Sequence, residues 1–269
     1  MPKIAINGRQ LHYHEAGSGP ETIIFSHGYL MDHRMFAAQI AALSQSYRVI
    51  AYDHRGHGQS DPCLKPFGLY DLVDDAAGLI DALCDGPVHF AGMSTGGYVG
   101  MRLLLKRPEL IKSLILIDTS AGAEDPVSLK QYNRVLFFVR RWGLRLILVK
   151  VLPLMMGQSF RTDPDRREEF NSWKTDIGRL HKTSVRHFGR AIFDRDDVLD
   201  DLRALGSPPA TLIVVGAEDI PTPPSDAKAM HAAIVGSRFV QVPDAGHTSP
   251  IEQPDAVTDA LTGFLRNVC

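Results

Sequence analysis

The sequence is poor in cysteine. Three residues, Cys63, Cys84 and Cys269, are odd in number and widely spaced, which excludes a disulfide framework and a cysteine-based metal site. No stretch approaches the roughly 18 uncharged apolar residues of a membrane-spanning helix. The opening Met1-Pro2-Lys3-Ile4-Ala5-Ile6-Asn7-Gly8 lacks an apolar run with a small-residue cleavage site. It therefore predicts no secretory signal and, with the unpaired cysteines, a cytoplasmic protein. Excess charge of one sign is missing too: the net charge of -2 argues against a nucleic-acid partner recruited by bulk charge. Glycine (23) and proline (17) are too ordinary in number for a collagen-like or low-complexity chain. With 44% hydrophobic residues, the 269 positions suffice for one sizeable core.

The chain has an α/β rhythm with one interruption. Residues 3–6 and 11–15 flank Asn7-Gly8, a two-residue hairpin signal. Short β-rich runs follow at 22–26, 48–52, 88–92 and 114–117, separated by helical patterns at 36–43, 69–83 and 97–106. After Asp118 roughly 70 residues read as helices without a strand. The rhythm resumes with strands at 211–215 and 238–242, a helix at 225–234 and a last helix from Pro254. Alternation of this kind predicts a mostly parallel sheet covered on both faces. The expected organisation is an α/β core (1–119 and 193–269) interrupted after the sixth strand by a helical cap (120–192). Charge marks the same interruption: residues 121–192 hold 14 basic and 7 acidic side chains, leaving a balance of -9 elsewhere.

The strongest chemical signal is Gly92-Met93-Ser94-Thr95-Gly96, of the form G-x-S-x-G, between an expected strand and an expected helix. A sharp strand-to-helix turn needs small residues two positions either side and presents the serine hydroxyl at the strand's end. A hydroxyl is a poor nucleophile at neutral pH and needs a base. Of 11 histidines, His247 in Asp244-Ala245-Gly246-His247-Thr248 follows the last expected strand and is the best candidate. Asp219, after the strand at 211–215, is the candidate for the orienting carboxylate. Asp118, at the end of the preceding strand, is its rival, and Glu218 is expected to point elsewhere. An oxyanion hole requires preorganised N–H donors. The Thr95 amide is one candidate, and the Tyr29 amide, in the loop His27-Gly28-Tyr29, is the other. His12/His14 and His54/His57 are spaced as ligand pairs but lack an evident third ligand, so no metal is expected. The glycines of Asp53-His54-Arg55-Gly56-His57-Gly58-Gln59-Ser60 lack a third at dinucleotide spacing. A tight turn held by Asp53 pairing with Arg55 is expected there instead.

Together, Gly92 to Gly96, His27-Gly28, the loop 53–60, Gly216 to Asp219 and Gly246-His247 resemble the α/β-hydrolase fold superfamily. Residues 89–121 and the overall length look most like the branch of 3-oxoadipate enol-lactonases and small carboxylesterases. The resemblance implies an acyl-enzyme route without cofactor, acting on a small-molecule ester or lactone. Ser94 differs from the aspartate nucleophile of dehalogenases and epoxide hydrolases of this fold and from the cysteine of dienelactone hydrolases. Thr248 stands where plant hydroxynitrile lyases carry lysine, and Thr95 where enol-lactonases and perhydrolases often carry methionine. C–C bond hydrolysis or perhydrolysis by the same triad is the alternative within enzymes, and a ligand receptor on a hydrolase scaffold is the alternative outside them.

Residues 134–156 hold five basic side chains and no acid, with breaks expected at Gly143 and Pro153. Three readings apply to this stretch: wall of an acyl pocket, contact with an anionic membrane surface, or homodimer contact. In the first, Phe137, Trp142, Met155 and Met156 form part of a hydrophobic wall near Ser94.

Overall fold

In the computed structural model, which describes residues 2–268, Asn7 (φ 49°) and Gly8 (φ 74°) both take positive φ. That geometry matches a two-residue turn to the twist of the flanking strands. They join β1 (Lys3–Ile6) to β2 (Arg9–Ala16) as an antiparallel hairpin with Ile6 opposite Arg9. Met1 and Cys269, the last of the three cysteines, lie outside the described residues; Cys63 is buried and Cys84 half-buried, and both are free thiols.

The α/β alternation then proceeds through β3 (Thr22–Ser26), α1 (Ala37–Leu43), β4 (Arg48–Tyr52), α2 (Leu69–Leu83), β5 (Val88–Met93), α3 (Thr95–Lys106) and β6 (Ile111–Ile117). A helical segment follows: α4 (Pro126–Trp142), α5 (Leu148–Met155), α6 (Gln158–Thr162), α7 (Arg167–Arg179), α8 (Lys182–Phe193) and the short α9 (Leu199–Arg203). The core resumes with β7 (Ala210–Gly216), α10 (Pro224–Ala233), β8 (Arg238–Val242), α11 (Ser249–Glu252) and α12 (Pro254–Leu265).

The eight strands form one sheet in the order β1-β2-β4-β3-β5-β6-β7-β8. β3 through β8 run parallel; β2 is antiparallel to β4, and β1 to β2. Successive side chains of a strand face opposite sides. Ile23 and Phe25 accordingly join one apolar cluster with residues of α1 and α12, while Ile24 joins another with residues of α2, α3 and α10. β5, central and covered on both faces, is buried along its whole length. This is the α/β-hydrolase arrangement expected from the sequence, with helices inserted after the sixth strand.

Two local expectations are corrected. Gly143 ends α4, but Pro153 lies inside α5. Proline forgoes one bond to the carbonyl four residues back, and the helix ends two residues later, so one lost bond is tolerated. Asp53 and Arg55 do not pair with each other. Arg55 forms a buried two-point ion pair with Asp75 of α2, at 2.6 and 2.7 Å. The Asp53 carboxylate instead accepts from His12 Nδ1 (2.8 Å), His33 Nδ1 (2.9 Å) and the backbone amides of His33 and Gln59. Side chains two residues apart in this turn leave on different sides and find different partners.

Histidines 27, 54 and 57 are buried together beyond the ends of β3 and β4. Burial, and then the nearby His27, hold His57 down to about 3, against 6.5 for an ordinary imidazole. Its contribution to stability is complete above pH 6.5 and is lost as the pH falls from there toward 3. Urea midpoints measured from about pH 7.5 to about 4.5 are expected to fall, with a shallower slope in His57→Gln. Equal slopes would remove His57 as a source of acid lability.

Candidate active site

The turn between β5 and α3 has no slack. Ser94 sits at φ 51° and ψ -110°, a conformation that non-glycine residues rarely adopt and that persists only where surrounding contacts impose it. Three hydrogen bonds do so. The Ser94 amide donates to the carbonyl of Ile117 (2.9 Å), and its own carbonyl accepts from the Tyr98 amide (3.0 Å) and Thr119 Oγ1 (2.8 Å). Close approach explains the small residues on either side. A Cβ on Gly96 would meet the Ser26 carbonyl oxygen at 1.9 Å, and one on Gly92 would meet that of Gly96 at 2.1 Å. The hydroxyl therefore stands at the carboxyl end of β5.

His247 reaches it from the loop after β8, and Asp219 from the loop after β7. Ser94 Oγ lies 2.9 Å from His247 Nε2, and His247 Nδ1 lies 3.0 Å from both oxygens of Asp219. All three side chains are buried. Asp118, the rival carboxylate, makes no hydrogen bond to His247; it accepts the amides of Gly216 (2.8 Å) and Ser249 (2.9 Å). It thus ties the start of the acid loop to the segment just past the histidine. Glu218 points away, toward the amide and hydroxyl of Ser159.

Burial works against the charged form of His247. The charge and hydrogen bond of Asp219, followed by the charges of Asp118 and Glu252, outweigh it and raise the imidazole above its usual 6.5. Burial and then the charge of Asp219 push the Asp118 carboxyl upward as well.

Two residues of this site were not singled out in the sequence. Thr222 donates its amide (3.0 Å) and hydroxyl (2.8 Å) to Asp219. The buried Glu252 accepts the amides of Gly246 (2.8 Å), Thr248 (2.9 Å) and Gly157 (2.9 Å), fixing both flanks of His247. The nearest sequence signal is a carboxylate five residues after the histidine, at the end of a short helix; nothing in the pattern reveals that it faces inward.

Gly28 runs close against Ser94: a Cβ there would stand 3.2 Å from that of Ser94 and 2.5 Å from Met93 Sδ. This places the Gly28–Tyr29 backbone beside the hydroxyl. The loop is pinned on both sides, because His27 Nδ1 donates to the Gly28 carbonyl (2.7 Å) and the Leu30 amide donates to His57 Nε2 (3.2 Å). Thr95 is the first residue of α3, where an amide has no intrahelical acceptor. The Tyr29 ring stacks on Phe188 of α8, and its hydroxyl donates to the Val185 carbonyl (2.8 Å).

Ser94 and His247 open into a cavity of about 520 Å³ between the sheet edge and the inserted helices. Its wall is mainly apolar and includes Tyr29, Phe138, Val151, Leu154 and Met155. Of the four residues expected there, Met155 lines the cavity, and the other three are corrected. Phe137 and Trp142 are on the outer surface, because α4 turns Leu136 and Val139 inward and Phe138, not Phe137, falls at the cavity's edge. Met156 is buried beside Gly246 and is not among the lining residues.

Among the described residues, one group has metal-ligand character: His12, His33 and Asp53, with one ligand-type atom each within 4.8 Å of one another. The two partners of His12 thus come from segments distant in sequence, not from His14. Both imidazoles direct Nδ1 at the Asp53 carboxylate, the geometry of a hydrogen-bonded structural knot.

A serine on a strained strand-to-helix turn, backed by a carboxylate from the loop after β7 and an imidazole from the loop after β8, is the arrangement expected of the α/β-hydrolase class. Residues 23–260 match the alpha/beta hydrolase family, and the chain belongs to it. The chain is 31% identical over 258 residues to 3-oxoadipate enol-lactonase 1 of Acinetobacter baylyi, covering 93% of this chain and 92% of that protein. A thermophilic esterase from Thermogutta terrifontis superposes with a TM-score of 0.90 at 33% identity, covering 99% of this chain and 98% of the other. An enol-lactonase from Burkholderia xenovorans LB400 superposes equally well, at 0.90 and 28% identity, covering 98% and 100%.

A fluorophosphonate should label Ser94 at a rate that depends on neutral His247. The raised imidazole places the midpoint of the acid limb above 6.5. A labelling rate independent of pH, or a midpoint below that value, would contradict the arrangement.

Proposed function

We propose that this enzyme hydrolyses carboxylic esters or lactones through an acyl-enzyme intermediate on Ser94. The observation that carries the reading is the unbroken line Ser94 Oγ–His247 Nε2 (2.9 Å) and His247 Nδ1–Asp219 (3.0 Å) at the floor of an apolar cavity. His247 removes the hydroxyl proton as Oγ attacks the substrate carbonyl. Asp219, held by Thr222, fixes the imidazole tautomer and stabilises the imidazolium. The amides of Tyr29 and Thr95 receive the developing oxyanion. His247 then protonates the leaving alkoxide, which in a lactone stays tethered to the acyl group. Finally it takes a proton from water, whose oxygen attacks the acyl carbon; as the bond from that carbon to Oγ breaks, the imidazolium returns the proton to Ser94 Oγ and the acid is released.

Segment 120–192 acts as the cap. The mainly apolar wall it contributes suits an uncharged acyl portion, whose burial supplies binding free energy in proportion to its area. The resemblance in sequence and structure to an enol-lactonase and an esterase supports the reaction class.

A panel of p-nitrophenyl esters, γ-lactones, acyl-homoserine lactones and β-diketones, run beside Ser94→Ala, tests the proposal. Turnover of an ester or lactone is expected, with a loss on the order of 10⁴-fold in the variant. Turnover confined to β-diketones, or activity that survives the substitution, would overturn it. Leu154→Trp should shorten the accepted acyl chain. kcat/KM for an octanoyl ester is expected to fall about tenfold or more relative to a butyryl ester.

A further inference from the structure

The outer face of the inserted helices is chemically unlike the rest of the surface. Phe137, Trp142, Leu146 and Val149 are 64, 51, 70 and 78% exposed. The rings of Phe137 and Phe138 meet at 6.0 Å, those of Phe138 and Trp142 at 5.4 Å, so the aromatics form a connected patch. Single exposed apolar side chains are ordinary, but grouped large ones mark a contact surface. Between positions 126 and 162 the sequence carries seven Lys and Arg and not one Asp or Glu.

A groove of about 690 Å³ between α5 and α7 adjoins this patch. Leu146 and Val149 stand on its edge, and Arg145, Arg161, Lys174 and Arg179 line it without a carboxylate. Among the described residues none of these four cations forms an ion pair, nor do Arg140 and Arg141. Burial, then the charges of Arg140 and Arg190, hold the Arg186 guanidinium of α8 below its usual range, so the run of positive charge continues onto α8.

Unpaired cations beside unburied aromatics have a particular complement: anionic oxygens above hydrocarbon. Tryptophan and phenylalanine enter the interfacial layer of a bilayer, while arginines pair with phosphates at its surface. A second copy of this face would set arginines against arginines, which disfavours a two-fold contact. The patch is also continuous with the cavity. Ile147, just before α5, and Val151 and Leu154 within it line the cavity, Leu148, Val149 and Leu152 line the groove, and Phe138 belongs to both the aromatic patch and the cavity wall.

We propose that α4, α5 and the groove between α5 and α7 form a docking surface for a bilayer containing anionic phospholipid. Phe137, Trp142, Leu146 and Val149 enter the interface, and Arg140, Arg141, Arg145, Lys174 and Arg179 pair with headgroup phosphates. This goes beyond the hydrolytic reading and does not depend on it.

The test is co-sedimentation of the full chain with vesicles of phosphatidylcholine alone or with about 30% phosphatidylglycerol, at low and high salt. Trp142 fluorescence is followed in a Trp173→Phe background. Binding to the anionic vesicles only, weakened by salt and accompanied by a blue shift of Trp142, is expected. Arg140→Glu/Arg141→Glu/Arg145→Glu and, separately, Phe137→Ser/Trp142→Ser should each lower binding about tenfold or more. Both should retain the wild-type melting temperature and fluorophosphonate labelling. Wild-type protein that stays in the supernatant, variants that bind as well as wild type, or a solution dimer that Phe137→Ser/Trp142→Ser dissociates would each overturn the proposal. The last would assign the face to a second copy.

Discussion

The backbone at Ser94 governs the architecture of the site. Held at positive φ, the chain turns from β5 into α3 within one residue. That turn is sterically costly, and it survives because neighbouring strands clamp it. β6 supplies the Ile117 carbonyl, the segment after β6 supplies Thr119, and β3 lies so close that position 96 has no room for a side chain. The hydroxyl is thereby lifted to the sheet edge, with an unsatisfied helix amide alongside it. In the proposed reaction this rigidity sets Ser94 Oγ in place before substrate arrives, so little reorganisation remains for the attack.

Around that point, buried carboxylates organise loops by collecting backbone amides. Asp118 holds the ends of the acid and histidine loops together, Glu252 holds both flanks of His247 and the start of the α6 region, and Asp53 gathers His12, His33 and the turn after β4. A carboxylate is costly to bury alone, and charge-assisted bonds from several N–H groups offset that cost. Each of these carboxylates joins segments far apart in the chain. Asp118 and Glu252 thereby convert loops, normally the mobile part of a fold, into fixed supports for His247 and Asp219.

The inserted helices have two unlike faces. The inner one packs Leu136, Val139 and Phe188 toward the core and walls the cavity above Ser94. The outer one leaves aromatic, aliphatic and cationic side chains to solvent. Tyr29 couples the insertion to the sheet edge at Ser94, because its ring stacks on α8 while its backbone runs beside that residue. Geometry at the insertion and geometry at the serine are therefore not independent.

The strand and helix alternation, the hairpin at Asn7-Gly8 and the serine turn were legible in the sequence because each depends on local causes: side-chain periodicity, positive-φ residues, and small residues at a crowded turn. Ser94, His247 and Asp219 were nameable because each follows a recognisable strand. Which wall residues face the cavity was not legible, since α4 is apolar on more than one side and only packing against α8 decides that Leu136 and Val139 go in and Phe137 goes out. The partner of Arg55, the two histidines on Asp53 and the bond from Gly157 to Glu252 escaped for a related reason. A hydrogen bond between positions tens of residues apart leaves no periodic trace. Sequence alone determined which groups stand at the strand ends; tertiary packing decided which of them touch, because contact depends on how distant segments are brought together.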